Sequence, residues 1–169
     1  MRGLSVAVCA ALILVASLGG PLLSVATAQE AVYLVRHAER VDDAKDSLLS
    51  AEGRVRAARL AEMLRDAGIT HIFNSEYQRT AETAAPLAAR LGITAEKVRA
   101  DQPDMLLARV RAAGPKARVL IAGHSDTVPA LLKALGCTQQ VTIAKAEYDN
   151  LFVVVPGDKA GPVLVRLRY

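Results

Sequence analysis

Three clusters of charged or reactive side chains each follow an apolar run of the sequence. They are Arg36-His37-Ala38-Glu39, Ser75-Glu76-Tyr77-Gln78-Arg79-Thr80 and Gly123-His124-Ser125-Asp126-Thr127. A guanidinium matches the oxygens of a phosphate through two parallel hydrogen bonds. A neutral imidazole can attack phosphorus, and a protonated one can bind the charged oxygens. The residue types therefore favour phosphoryl transfer, which depends mostly on positioning and charge stabilisation.

The apolar runs before the clusters have the composition of buried β-strands. The predicted strands are Ala31–Val35, His71–Asn74, Arg118–Ala122, Leu151–Val155 and Val163–Arg168, of which the last two form a terminal hairpin. Helical patterns separate the first four strands. The first predicted helix begins after an N-cap at Ser50 and stops near Gly68. The other predicted helices are Tyr77–Leu91, Gln102–Ala113 and Thr127–Leu135.

The sequence also predicts which face of the first helix is buried and how a proline affects the second. The first should bury an apolar stripe that consists of Val55, Ala58, Leu60, Ala61, Met63 and Leu64. The second contains Pro86, which should kink it or start a new turn.

Alternating strands and helices predict an α/β layer fold with a mainly parallel sheet. Ligands bind outside the carboxyl ends of the strands in such a sheet. Because all three clusters follow strands, we expect them to meet at one rim of the sheet. The walls of that pocket should come from residues 40–47 and 96–103.

Composition narrows the class of protein. The chain has 169 residues, which suits one folded domain, and its 52% apolar content excludes a disordered chain. The net charge of +4 is weak support for a nucleic-acid partner, because both signs are mixed along the chain.

His71, which begins a strand, is interpreted as structural.

The first 28 residues have the pattern of a secretory signal peptide. They combine one early basic residue, an apolar run over Leu4–Leu18, and Ala26-Thr27-Ala28 before polar Gln29. We expect cleavage after Ala28, a domain over residues 29–169, no stable membrane insertion after cleavage and a periplasmic or secreted protein. An uncleaved anchor is the alternative. Removal of Cys9 leaves Cys137 as a lone thiol, which we expect to be buried and inert.

A metal site is the main rival use of the histidines. The sequence contains no HExxH, CxxC or His-x-His pattern, so a metal would need His37, His124 and scattered acids as ligands.

The clusters, in their order and spacing, resemble the histidine phosphatase superfamily, which is also called phosphoglycerate mutase-like. The matching segments are VYLVRHAE over 32–39, LSAEGRVRAARLAEML over 49–64, SEYQRTAETAAPLA over 75–88 and VLIAGHSDTVP over 119–129. This resemblance implies a three-layer α/β/α sandwich around a mixed sheet. It also implies that no metal or organic cofactor is needed.

The resemblance implies a role for each matching residue. His37 would be the nucleophile that forms a phosphohistidine, Arg36 and Arg79 would bind the phosphoryl oxygens, and His124 would complete the phosphate pocket. Many members have Arg-His-Gly, whereas this chain has Ala38 at the third position. Mutase-type members carry an insertion with a glutamate proton donor, but here only about 43 residues separate Arg79 from Gly123.

The proton donor for the leaving group is therefore open. Asp126, two residues after His124, is one candidate, although it could equally cap the helix that follows. Asp101 and Glu76 are weaker candidates.

The expected function is an exported phosphatase that acts on small phosphorylated substrates, either phosphomonoesters or related compounds. The alternatives are a phosphohistidine phosphatase that acts on phosphoproteins and a phosphate-binding module without turnover. A mutase is weaker still, given the missing insertion.

Overall fold

The computed structural model describes residues 29–169. The predicted signal peptide lies outside these residues. The elements are β1 Ala31–Arg36, α1 Ala51–Leu64, β2 His71–Asn74, α2 Gln78–Leu91, β3 Glu96–Lys97, α3 Pro103–Ala112, β4 Arg118–Gly123, α4 Thr127–Ala134, β5 Asn150–Val155 and β6 Val163–Arg168. Every predicted strand and helix is present, with ends that differ by a residue or two, except that α1 ends at Leu64 with a turn up to Gly68.

One six-stranded mixed sheet forms the centre of the fold. The strand order is β3-β2-β4-β1-β5-β6, in which the first four strands are parallel and the β5–β6 hairpin is antiparallel. Strand β3 was not predicted, because it has only two residues, both polar and exposed. The mainly parallel mixed sheet is confirmed.

Helices cover the two faces of the sheet. Helices α1 and α2 pack on one face, where Leu60 and Leu87 meet Ile72 and Leu120. Helices α3 and α4 contribute Val110 and Leu131 to a second core on the opposite face. The three-layer α/β/α sandwich is therefore confirmed.

Helix α1 begins as predicted but buries a different stripe. The Ser50 hydroxyl accepts a hydrogen bond from the Gly53 amide at 3.1 Å and caps the helix. The buried residues are Gly53, Ala57, Leu60, Ala61 and Leu64. Val55 and Met63 are 55% and 46% exposed and Ala58 is also exposed, so the expected burial of these three residues was wrong. An alanine-rich helix with apolar residues on several sides does not define a single face.

Helix α2 is a continuous helix through Pro86. The helix therefore does not end at Pro86.

Cys137 is buried, which agrees with the expectation, and burial raises the pKa of its thiol. His71 lies at the start of β2 beside the Thr70 hydroxyl, at the end of the strand opposite to the second cluster.

Within residues 29–169, no helix combines the length and hydropathy needed to cross a bilayer.

Candidate active site

The three polar clusters meet at one edge of the sheet. Strand β4 lies between β1 and β2, and the register pairs Arg36 with Gly123 and Asn74 with Ala122. The last residues of the three strands are thus level, and the clusters extend from them in the same direction. They surround a pocket of about 600 Å³, which we call the phosphate pocket. Its lining includes Arg36, His37, Arg40, Tyr77, Arg79, Asp101, His124 and Asp126.

His37 is held in a single orientation at the base of this pocket. Its backbone amide donates to the Gly123 carbonyl at 2.9 Å, and its Nδ1 lies 2.8 Å from the Ala38 carbonyl oxygen. A carbonyl only accepts, so Nδ1 carries the ring proton and Nε2 of the neutral ring keeps its lone pair. Burial lowers the pKa of His37 to about 3, with a smaller contribution from nearby cationic groups. At neutral pH the ring is therefore uncharged, and Nε2 can act as a nucleophile.

His124 faces His37, with ring centroids 5.4 Å apart. Its Nδ1 lies 3.5 Å from an Arg79 nitrogen, which can only donate, so the ring proton belongs on Nε2. Nε2 then donates to the Ser75 hydroxyl at 2.9 Å, which donates to Thr80 Oγ1 at 2.8 Å. The Thr80 hydroxyl in turn donates a hydrogen bond to the Tyr77 carbonyl at 2.7 Å. This chain of hydroxyls fixes the ring.

The surroundings of His124 determine its protonation state. Burial and the Arg79 charge lower the pKa of His124 to about 4, and Asp126 opposes this shift. The ring is therefore neutral in the ligand-free pocket. An incoming phosphate dianion would favour its protonated form, because opposite charges stabilise each other at short range.

Arg36 is anchored by the loop that precedes β5. Its Nη1 donates to the carbonyl oxygens of Ala144, Lys145 and Glu147 at 3.1, 2.9 and 3.0 Å. The guanidinium stacks 4.0 Å from the centroid of the Tyr148 ring. Its Nε is buried and has no hydrogen-bond partner among residues 29–169.

Arg79 reaches the pocket from the first turn of α2 and is anchored on the opposite side. Its Nη1 donates to the Lys45 carbonyl at 2.7 Å, and the guanidinium lies 4.3 Å from the Tyr77 ring centroid. Its Nε is also buried and unpaired within the described part of the chain. Two cationic guanidiniums that line one pocket indicate a site for an oxyanion.

Residues outside the pocket hold the first cluster in place. Thr83 Oγ1 accepts from the Ala38 amide at 3.0 Å and donates to the Arg79 carbonyl at 2.7 Å, which links the first two clusters. The Glu39 carboxylate accepts two hydrogen bonds from Arg56 Nε at 2.7 and 2.9 Å. A Cβ at Gly53 would lie 2.1 Å from the Glu39 carbonyl oxygen, so only glycine permits this contact.

The three candidate proton donors differ in position. Asp126 lines the pocket and caps α4, because its Oδ1 accepts from the Thr127 amide at 2.8 Å. Asp101 also lines the pocket, but the Arg99 guanidinium lowers its pKa and keeps it ionised. Glu76 does not line the pocket, and its carboxylate accepts from the Ala100 amide at 2.8 Å. Asp126 is thus the acid whose position fits proton donation.

Several pocket residues were not singled out from the sequence. Arg40 falls in the expected wall segment 40–47, and Tyr77 lies within the second cluster, so both had a signal. Tyr148 and the carbonyls of residues 144–147 had none, since they lie more than 100 residues from Arg36 in a segment without periodicity. No group of three or more His, Cys, Asp or Glu residues within 29–169 is placed to hold a metal ion.

Comparison with known families identifies the pattern of the first two clusters. Residues 32–102 match the model of the histidine phosphatase superfamily, branch 1, and this segment includes Arg36, His37 and Arg79. Over this segment the chain is similar to the histidine phosphatase superfamily. The expected resemblance is therefore confirmed.

Curated histidine phosphatase relatives align over part of this chain. The probable phosphoglycerate mutase GpmB of Enterobacter sp. (strain 638) is 43% identical over 68 residues, which cover 36% of this chain and 32% of the relative. GpmB of Proteus mirabilis is 44% identical over 64 residues, with 34% and 30% covered. The matched region spans about a third of these relatives.

Solved structures share the histidine phosphatase fold over most of the chain. The putative phosphohistidine phosphatase SixA from Agrobacterium tumefaciens has a TM-score of 0.65 at 20% identity and covers 83% of this chain and 99% of its own. A mycobacterial glucosyl-3-phosphoglycerate phosphatase has a TM-score of 0.65 at 16% identity, with 83% and 98% covered. These likenesses establish the fold.

Proposed function

We propose that the protein is an exported phosphatase that hydrolyses phosphomonoesters or related phospho-compounds through a phosphohistidine on His37. The observation that carries this proposal is the hydrogen bond from His37 Nδ1 to the Ala38 carbonyl, which leaves Nε2 as the free nucleophile. The guanidiniums of Arg36 and Arg79, which line the same pocket, supply the donors for the phosphoryl oxygens.

The reaction has two steps. In the first, His37 Nε2 attacks phosphorus, the N–P bond forms, and the P–O bond to the leaving group breaks. Asp126 in its acid form gives a proton to the departing oxygen. In the second step water attacks phosphorus, its proton returns to Asp126, the N–P bond breaks and inorganic phosphate leaves. The arginines stabilise the charge on the transferring group in both steps.

Export rests on residues 1–28, whose basic start, apolar run and Ala-x-Ala end have the signal-peptide pattern. Expression of the whole sequence in a bacterial host should yield periplasmic or secreted protein that begins at Gln29. An N-terminus before Ala26 would contradict the proposed cleavage.

The test of catalysis compares two histidine variants. The change His37→Ala should reduce phosphatase turnover by at least roughly 10⁴-fold, because the nucleophile is lost. It should also abolish acid-labile, alkali-stable labelling of the protein by radioactive phosphate from substrate. The change His71→Ala removes a histidine outside the pocket and should retain activity and labelling. Full activity of the His37→Ala variant would refute the proposal.

A phosphohistidine phosphatase is the second candidate. The likeness to the putative phosphohistidine phosphatase SixA extends over 99% of that chain. A phosphorylated nitrogen depends less on a separate acid, so such an activity should survive Asp126→Asn whereas monoester hydrolysis falls. Phosphate binding without turnover of any substrate would favour the non-catalytic module. Retained activity in EDTA is expected, since no step uses a metal.

A further inference from the structure

A second depression opens beside the phosphate pocket. It has a volume of about 340 Å³ and lies between the start of α3 and helix α4, above the ends of β2 and β4. We call it the apolar cavity. Its floor and walls carry mostly apolar side chains, among them Phe73, Val98, Pro103, Leu106, Ile121 and Leu131.

The apolar cavity adjoins the phosphate pocket. The two share Ala100, Asp101, His124, Asp126 and Thr127 as lining residues. A phosphoryl group held by Arg36 and Arg79 would therefore lie next to the entrance of the cavity. Asp126, which fits the role of leaving-group acid, stands on the common wall, so the group that leaves the phosphorus has a direct route into the cavity.

Several polar atoms around the apolar cavity already have partners. The Asn74 amide donates to the Ser75 carbonyl at 2.7 Å, and the Thr127 hydroxyl accepts from the His124 amide at 2.9 Å. Asp101 is paired with Arg99 at 2.6 Å. A sugar or nucleoside placed here would lose more hydrogen bonds to water than this mostly apolar lining can replace, which is unfavourable. An alkyl or aryl group would lose none.

We propose that the substrate is a phosphomonoester whose leaving group is an apolar alkyl or aryl chain that occupies this cavity. The inference rests on the phosphatase function proposed above and names the substrate class of that site. A cavity of about 340 Å³ lies within the ordinary range of small-ligand sites, roughly 300–1,000 Å³, so it suits a small apolar chain rather than a large ligand.

The test uses a series of n-alkyl phosphates from ethyl to hexyl, together with glucose 6-phosphate. These substrates release similar primary alkoxides, so differences in kcat/KM report contacts with the leaving group. Each added methylene should raise kcat/KM by about threefold until the cavity is full. Hexyl phosphate should also exceed glucose 6-phosphate. A flat series, or a preference for glucose 6-phosphate, would overturn the inference while the phosphatase function stands.

A matched pair of variants locates the effect. Ala130 lines the apolar cavity from α4, and Ala130→Phe should collapse the ratio of kcat/KM for hexyl over ethyl phosphate toward one. Ala108 is exposed on α3 and does not line the cavity, so Ala108→Phe should keep the wild-type ratio. If Ala130→Phe leaves the ratio unchanged in a folded protein, the chain binds elsewhere and the inference fails.

A binding series decides the matter independently of turnover. Ethyl- to hexylphosphonate cannot be hydrolysed, and their Kd values can be measured by calorimetry on the wild-type protein. The Kd should fall by about threefold per methylene, and equal Kd values along the series would refute the inference. Absence of turnover with all esters would instead count against the proposed function, and the phosphonate series would still give a result for the cavity.

Discussion

The phosphate pocket and the apolar cavity share a wall, but the rest of their linings differ in charge and polarity. In the phosphate pocket, Arg36 and Arg79 each present a guanidinium whose Nη1 is held by backbone carbonyls. In the cavity, the amide of Asn74 and the hydroxyl of Thr127 are already hydrogen-bonded. Two fixed cationic groups favour an anionic ligand in the first region, and a mostly apolar lining favours an uncharged group in the second.

The largest effect after loss of the nucleophile should come from Arg79→Lys. Lysine offers a point charge in place of a planar fork, so kcat/KM should fall by roughly 10²–10³-fold. The loss should be the same for ethyl and hexyl phosphate, because only the phosphate pocket is altered.

Arg90→Lys is the control for this change. Arg90 lies on the same helix, is exposed and pairs with Glu62 at 2.8 Å outside the pocket. Steady-state kinetics should show wild-type values for this variant. A loss in Arg79→Lys that depends strongly on chain length would contradict the separation of the two regions.

A smaller effect is expected at the common wall. Asp126→Asn removes the proposed acid but keeps a side-chain oxygen that can cap α4. Hydrolysis of alkyl phosphates should fall by about 10²-fold. Hydrolysis of 4-nitrophenyl phosphate, whose leaving group needs little protonation, should change much less, and the melting temperature should be retained. Equal losses on both substrates would show that Asp126 is not the proton donor.

The smallest effect is a pH dependence of stability that the phosphate pocket causes. The pKa values of His37 and His124 lie at about 3 and about 4 in the folded chain, below the ordinary 6.5. Between pH 6.5 and 5 the unfolded chain therefore binds more protons, and acid favours unfolding. The free energy of unfolding should fall by about 1.4 kcal/mol per pH unit for each histidine.

Urea unfolding at pH 7, 6 and 5 measures this slope. The double variant His37→Asn, His124→Asn should lose most of it. A slope that persists in the double variant would assign the effect to groups outside the pocket.

Much of the fold was predictable because apolar runs and caps are local signals. Strand β4 is a continuous apolar run, and Ser50 caps α1 as its residue type suggests. The burial of α1 was not predictable in detail, since packing against α2 and the sheet decides which of several apolar faces is covered. Val55 and Met63 are exposed for this reason.

The site was predictable in so far as it follows strand ends. Arg36, His37 and His124 extend from β1 and β4, so the sheet alone brings them together. The anchors of the arginines were not predictable, because backbone carbonyls such as that of Lys45 carry no signal of residue type. The apolar cavity was also out of reach, because its walls combine two strands and two helices that are distant in the chain.

The anchoring of Arg36 by carbonyls of residues 144–147 has a consequence for the evolution of the protein. Main-chain oxygens are the same for every amino acid, so the side chains of this loop can drift by substitution while the guanidinium keeps its orientation. A deletion that shifts the backbone would not be tolerated in the same way. Substitutions in this loop can therefore be selected for new specificities while Arg36 remains oriented to bind phosphate.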